Sequence, residues 1–171
     1  LIYAKPTRYN GITFRSRLEA RWAVYFDAIG ITYEYEMERY DFTPDMSYLP
    51  DFYLREVNMW AEIKPVQLDG IELTKVEYLV LTTGKPCLLL VGSPQAKPYE
   101  AIYFQRSHDN LRNSTQSYWH ALSNYHDYPQ YEGRFYIEDS PNSFGGEFAI
   151  NGEYHDAVLA SIKAKNAFKF I

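Results

Sequence analysis

Glu62-Ile63-Lys64 sets an acid and a lysine two residues apart, and in an extended chain that spacing puts both side chains on one face. Asp51 lies eleven residues earlier, directly after Pro50, in a second extended stretch. If the two stretches pair as neighbouring strands, Asp51 and Glu62 converge within reach of one ion. Carboxylates side by side are hard oxygen ligands, and Mg²⁺ needs only one or two of them, taking water and substrate phosphate for the rest of its shell. Asp51, Glu62 and the main-chain carbonyl of Ile63 therefore form an expected Mg²⁺ site, with Mn²⁺ expected to substitute. Lys64 would stand beside a metal-bound water, where an ammonium can orient or deprotonate the nucleophile and offset charge developing on a phosphate. Glu19 is the expected third acid. It lies one position around from the apolar stripe of a helix and so reaches the edge of the core.

These groups need a frame that brings them together. Between Ile12 and Ile29 the residues Phe14, Leu18, Trp22, Tyr25, Phe26 and Ile29 recur at steps of three and four, and Gly30 follows, which predicts an amphipathic helix over 12–29. Thr32 to Glu36, Tyr48 to Leu54 and Met59 to Lys64 read as extended runs. Turn chemistry at Thr43-Pro44-Asp45 and Glu56-Val57-Asn58 separates them and predicts a meander of antiparallel strands. Asp69 to Thr83 carries Ile71, Val76, Leu79 and Val80 at helical spacing and stops at Gly84. Pro86 to Val91 is a continuous apolar run, the pattern of a strand buried on both faces and reached by a right-handed crossover. The expected fold class is α/β, a mixed sheet flanked by helices. Beyond Pro94 an α+β part follows: an extended run at Tyr99 to Gln105, a short helix at Thr115 to Tyr125 and a strand at Arg134 to Glu138. A loop at Ser140 to Gly146 then precedes a terminal helix at Glu153 to Phe170, with Lys163, Lys165 and Lys169 on its wet side.

A chain of 171 residues, 46% hydrophobic and 18% aromatic, buries one ordinary core, so a single domain over 1–171 is expected, with a catalytic core at about 12–92 and a C-terminal extension at about 93–171. The composition excludes a disordered chain, and no apolar stretch approaches a membrane span. The opening residues lack the pattern of a secretory signal, and the lone Cys87 excludes an internal disulfide, so a cytoplasmic address is expected. A net charge of -5 argues against broad polyanion binding. Lys5, Arg8, Arg15, Arg17 and Arg21 nevertheless crowd the first 21 residues, suiting either a positive rim that meets nucleic acid or a solvated helix face.

An acid, any residue and a lysine is a common triplet. Its company here is less common: a preceding Pro50-Asp51 and a helix with an inward-leaning Glu19. In this set, and in the phrases from Phe14 to Ala23 and from Tyr48 to Phe52, the chain resembles the PD-(D/E)xK nuclease superfamily. It looks most like small phage and bacterial endonucleases of the junction-resolving or transposon end-cutting type. The resemblance covers residues 12 to 92. It implies a restriction-endonuclease-like sheet flanked by helices and a Mg²⁺-dependent endonuclease acting on DNA. Glu19, Asp51, Glu62 and Lys64 would be the catalytic set. It also implies a homodimer, since cutting two strands takes two sites, and a bacterial cell or phage-infected bacterium as the setting. Gln67 is a candidate for the glutamine that some relatives carry after the lysine strand.

Other residues are weighed beside this set. His108, His120, His126 and His155 match no zinc spacing. Tyr118, Trp119, Tyr125, Tyr128, Tyr131 and Tyr136 suit a core better than a stacking platform for unpaired bases. The rival to a nuclease is a module that keeps the fold and binds nucleic acid or protein without cutting.

Overall fold

The computed structural model describes residues 4–28, 30–55, 57–66, 70–94, 99–106, 115–124, 135–137, 148–150 and 163–168. The chain begins with a hairpin of β1 (Thr7–Tyr9) and β2 (Ile12–Phe14), paired Thr7 to Phe14 through Tyr9 to Ile12. Its two-residue loop is Asn10-Gly11, with φ of 46° and 82°, the left-handed pair that a type I′ turn requires. The helix expected over 12–29 is therefore shorter: α1 spans Arg17–Ala28. Ser16 fixes its start by accepting the Glu19 N–H on Oγ at 3.1 Å. Gly30, at φ 78°, closes it with hydrogen bonds from Gly30 N to Asp27 O and from Ile31 N to Phe26 O, the paired bonds of a Schellman end.

β3 (Tyr33–Tyr35), β6 (Phe52–Leu54) and β7 (Met59–Lys64) form the antiparallel meander. The run expected over Tyr48 to Leu54 is split. β4 (Tyr40–Thr43) and β5 (Met46–Tyr48) make a separate two-stranded sheet, and Leu49-Pro50-Asp51 carries the chain from it into β6. Proline has no N–H to give a ladder, so pairing stops there. α2 (Gly70–Thr83) ends at Gly84, whose N–H reaches Val80 O at 2.9 Å. It leads into β8 (Cys87–Val91), which lies parallel to β7 with Glu62 opposite Leu89.

β9 (Tyr99–Arg106), β10 (Thr115–Asn124), β11 (Phe135–Ile137) and β12 (Phe148–Ile150) add antiparallel strands. Among the described residues the main sheet runs β12-β11-β10-β9-β8-β7-β6-β3, mixed, with β7 and β8 its parallel pair. The helix expected at Thr115 to Tyr125 is a strand instead. Thr115, Tyr118, Trp119 and their neighbours pair with β9 at eight positions, and that partner outweighs a weak local pattern. The expected loop at Ser140 to Gly146 lies outside the described residues. So does most of the expected terminal helix, of which 163–166 is a helical turn that sets Ala164 into the core.

The sheet carries apolar side chains on both faces. On one, Phe52, Leu54, Met59, Ala61, Ile63, Leu88 and Leu90 pack against α1, with Ala164 beside them. On the other, Trp60, Cys87 and Leu89 pack against Val76, Leu79 and Val80 of α2 and against Tyr48 of the small sheet. Among the described residues no helix is long and apolar enough to cross a membrane.

Candidate active site

Strand alternation decides where the acids point. Met59, Ala61 and Ile63 of β7 belong to the α1 side and Trp60 to the α2 side, so Glu62 and Lys64, two and four residues on from Trp60, project with it. The β6–β7 register pairs Phe52 with Ala61. One step further along, Asp51 meets Glu62.

At that step the ladder is replaced by side chains. Asp51 N–H donates to Glu62 Oε2 at 3.2 Å, and Ile63 N–H donates to Asp51 Oδ2 at 2.8 Å. Glu36 N–H donates to the Asp51 carbonyl at 2.9 Å from a left-handed conformation, φ 46°, that a non-glycine residue adopts only under constraint. Asp51 is thus held at three atoms. Lys64 carbonyl accepts from Gly92 N–H on the β8 side at 2.7 Å, so the peptide groups of Ile63, one residue earlier, face β6 and Asp51. The Ile63 carbonyl therefore points to the edge where the acids stand.

The charges are poorly solvated. Asp51 is 9% exposed and Glu62 2% exposed. Burial pushes the Asp51 carboxyl well above the usual range, and the charges of Glu62 and Glu19 push it further. Burial also raises Glu62, against the pull of Lys64, whose Nζ lies 2.7 Å from Glu62 Oε1. For Lys64 the loss of water works downward, but Glu62 and then Asp51 outweigh it and the ammonium is raised. Glu72 of α2 stands 4.0 Å from Lys64 and bonds Lys75 at 2.6 Å.

Two buried carboxylates have one ammonium between them, so when both are ionised one of them lacks a compensating charge. No family model, curated protein or solved structure matches this chain. The site must therefore be read from its own groups. Two buried oxygen donors with excess negative charge fit a small hard dication, which is content with that many protein ligands. Asp51, Glu62 and the Ile63 carbonyl are the groups that would hold it.

Glu19 is placed differently from its partners. It sits in the first turn of α1, close enough for its charge to act on Asp51, but its carboxylate is already engaged. Oε1 accepts from Ser16 Oγ at 2.6 Å, and Oε2 accepts from Tyr35 Oη at 2.5 Å and from Arg15 N–H at 3.2 Å. Ser16 Oγ thus accepts the Glu19 N–H and donates to the Glu19 carboxylate, tying both to the start of α1. Among the described residues no three His, Cys, Asp or Glu side chains converge on one point, so the three-acid set expected from the sequence is not assembled.

The basic residues of the first 21 positions are scattered in role. Lys5, just before the hairpin, and Arg8, on it, are exposed. Arg15 pairs with Glu36 at 2.6 Å, while Arg17 and Arg21 are half-buried on α1. Gln67 lies outside the described residues. Sequence reasoning missed Tyr35, Ser16 and Tyr48. Ser16-Arg17-Leu18-Glu19 is a capping-box pattern and could have revealed Ser16, whereas the two tyrosines carry no local signal.

Proposed function

We propose that this chain is a metal-dependent nuclease that hydrolyses phosphodiester bonds in DNA as an endonuclease. Its core over 12–92 would be a variant of the restriction-endonuclease-like fold. The observation that carries the reading is the buried pairing of Asp51 with Glu62 at the point where the β6–β7 ladder gives way, with Lys64 against Glu62. Bound Mg²⁺ or Mn²⁺ would supply Lewis acidity to the phosphate and lower the pKa of a water. Asp51 and Glu62 present the carboxylate oxygens, and the rigid hydrogen bonds at Asp51 fix their direction before substrate arrives. Lys64, a donor on a half-buried stem, orients the attacking water and meets charge developing on the phosphate oxygens. Glu19 orients a further water from the helix cap, or takes a second ion once Tyr35 and Ser16 release it. Lys5 and Arg8 are exposed cations that would meet the DNA backbone. A cytoplasmic setting and a homodimer belong to the same reading.

One observation favours a second reading, a module that binds nucleic acid or protein without cutting. Glu19 already accepts three hydrogen bonds, as in a purely structural cap. The deciding assay is cleavage of supercoiled plasmid and branched DNA with Mg²⁺ or Mn²⁺ by wild type, Lys64→Ala and Asp51→Asn at matched purity. Nicking by wild type that disappears in both variants and in EDTA supports the nuclease. Equal traces in all three mean contamination, and intact binding without cleavage favours the module.

A further inference from the structure

Tyr48 presents an unexplained group. Its side chain is 7% exposed, and its hydroxyl makes no hydrogen bond of good geometry among the described residues. A phenylalanine would fill the same space without burying a polar atom, so the hydroxyl costs stability where it stands. It stands beside Glu62. Tyr48 packs in one cluster with Trp60 and Cys87, and Glu62 is the next residue after Trp60 on that face of β7. Burial raises the Tyr48 phenol well above its ordinary value, and the Glu62 charge and a hydroxyl contact with that carboxylate, too poorly aligned for a full hydrogen bond, add to it, so the phenol remains a proton donor.

Glu62 Oε2 accepts from Asp51 N–H and Oε1 meets the Lys64 ammonium, the stronger partner on that oxygen. If Lys64 is to act on water or phosphate, its ammonium must turn from Glu62, leaving Oε1 buried and unpaired, a costly state. On that face Trp60 Nε1 is spent on Thr83 Oγ1 at 3.2 Å, and the Cys87 thiol is a weak donor. Tyr48 is the strong donor left among the described residues. We infer that the Tyr48 hydroxyl is a reserve hydrogen-bond donor for Glu62, taking up that carboxylate when Lys64 turns away. It is a positioning residue. The inference rests on the nuclease reading for the moment at which Lys64 moves, but its test needs neither metal nor substrate.

Tyr48→Phe is made in wild type and in Lys64→Met, and thermal unfolding of the four proteins is followed in EDTA. In wild type the hydroxyl's contact with Glu62 is poorly aligned, and its removal shifts Tm by no more than about 1 °C or raises it. In Lys64→Met the hydroxyl holds Glu62, and its removal lowers Tm by about 3 °C. Equal shifts in the two backgrounds overturn the proposal, because a packing role would not depend on Lys64. If Lys64→Met does not fold, Lys64→Gln carries the same comparison. A wild type that never cuts DNA but shows this coupling would sink the nuclease reading and leave the reserve donor standing.

Discussion

Asp51→Asn should make the metal-free protein more stable, although it removes a group from the centre of the site. The amide keeps an oxygen to accept the Ile63 N–H and deletes one of two buried negative charges that share a single lysine. Replacing poorly compensated buried charge is worth roughly 1–4 kcal/mol. For a chain of this size that corresponds to a Tm gain of about 2–16 °C. The gain must depend on pH. Because the folded pKa of Asp51 is raised, the folded protein keeps that proton where the unfolded chain has lost it. Wild-type stability is therefore full below the unfolded carboxyl value of about 4 and falls as pH rises through the folded value. The variant lacks this loss, so its advantage is small near the lower limit, grows through the window and then levels. Circular dichroism melts in EDTA from about pH 4 to pH 8 measure it. A lower Tm for Asp51→Asn at the upper limit, or an equal difference at both ends, would refute the picture of a charge-frustrated pair.

Mn²⁺ at about 100 times its dissociation constant should stabilise wild type by about 2.7 kcal/mol, a Tm gain of roughly 5–10 °C, and leave Glu62→Gln unmoved. Scanning calorimetry with and without the ion checks both. Ser16→Ala should cost about 1 kcal/mol, since the first turn of α1 loses its cap and Glu19 loses a donor; urea denaturation gives the value. Cys87 has 0% exposure and a thiol raised well above its ordinary value by burial, so a disulfide reagent should react only on unfolding, at a rate that follows denaturant.

The parts of the fold that were legible in the sequence are those in which local pattern and tertiary placement agree. Met59 to Lys64 alternates between two buried faces and was readable to the residue, as was the stop of α2 at Gly84. The start of α1 was misplaced because Ile12 and Phe14 fit the helical period by coincidence. Asn10-Gly11, the stronger signal, turns them into a strand. Thr115 to Asn124 was unreadable for another reason: its conformation is set by β9, a partner that local spacing does not reveal. At the site, the juxtaposition of Asp51 and Glu62 followed from counting along two strands. Tyr35 did not, because its bond to Glu19 spans sixteen residues and depends on how α1 lies over the sheet.

The Ile63 N–H has a carboxylate where its neighbours in the strand have carbonyls. Its proton resonance in a nuclear magnetic resonance spectrum is therefore an indicator built into the backbone. A peptide proton held by an ionised oxygen is more deshielded than one held by a neutral carbonyl, and it returns upfield when that oxygen is protonated. One amide signal would then report whether Asp51 is charged, protonated or drawn toward a cation, with no label added to the protein.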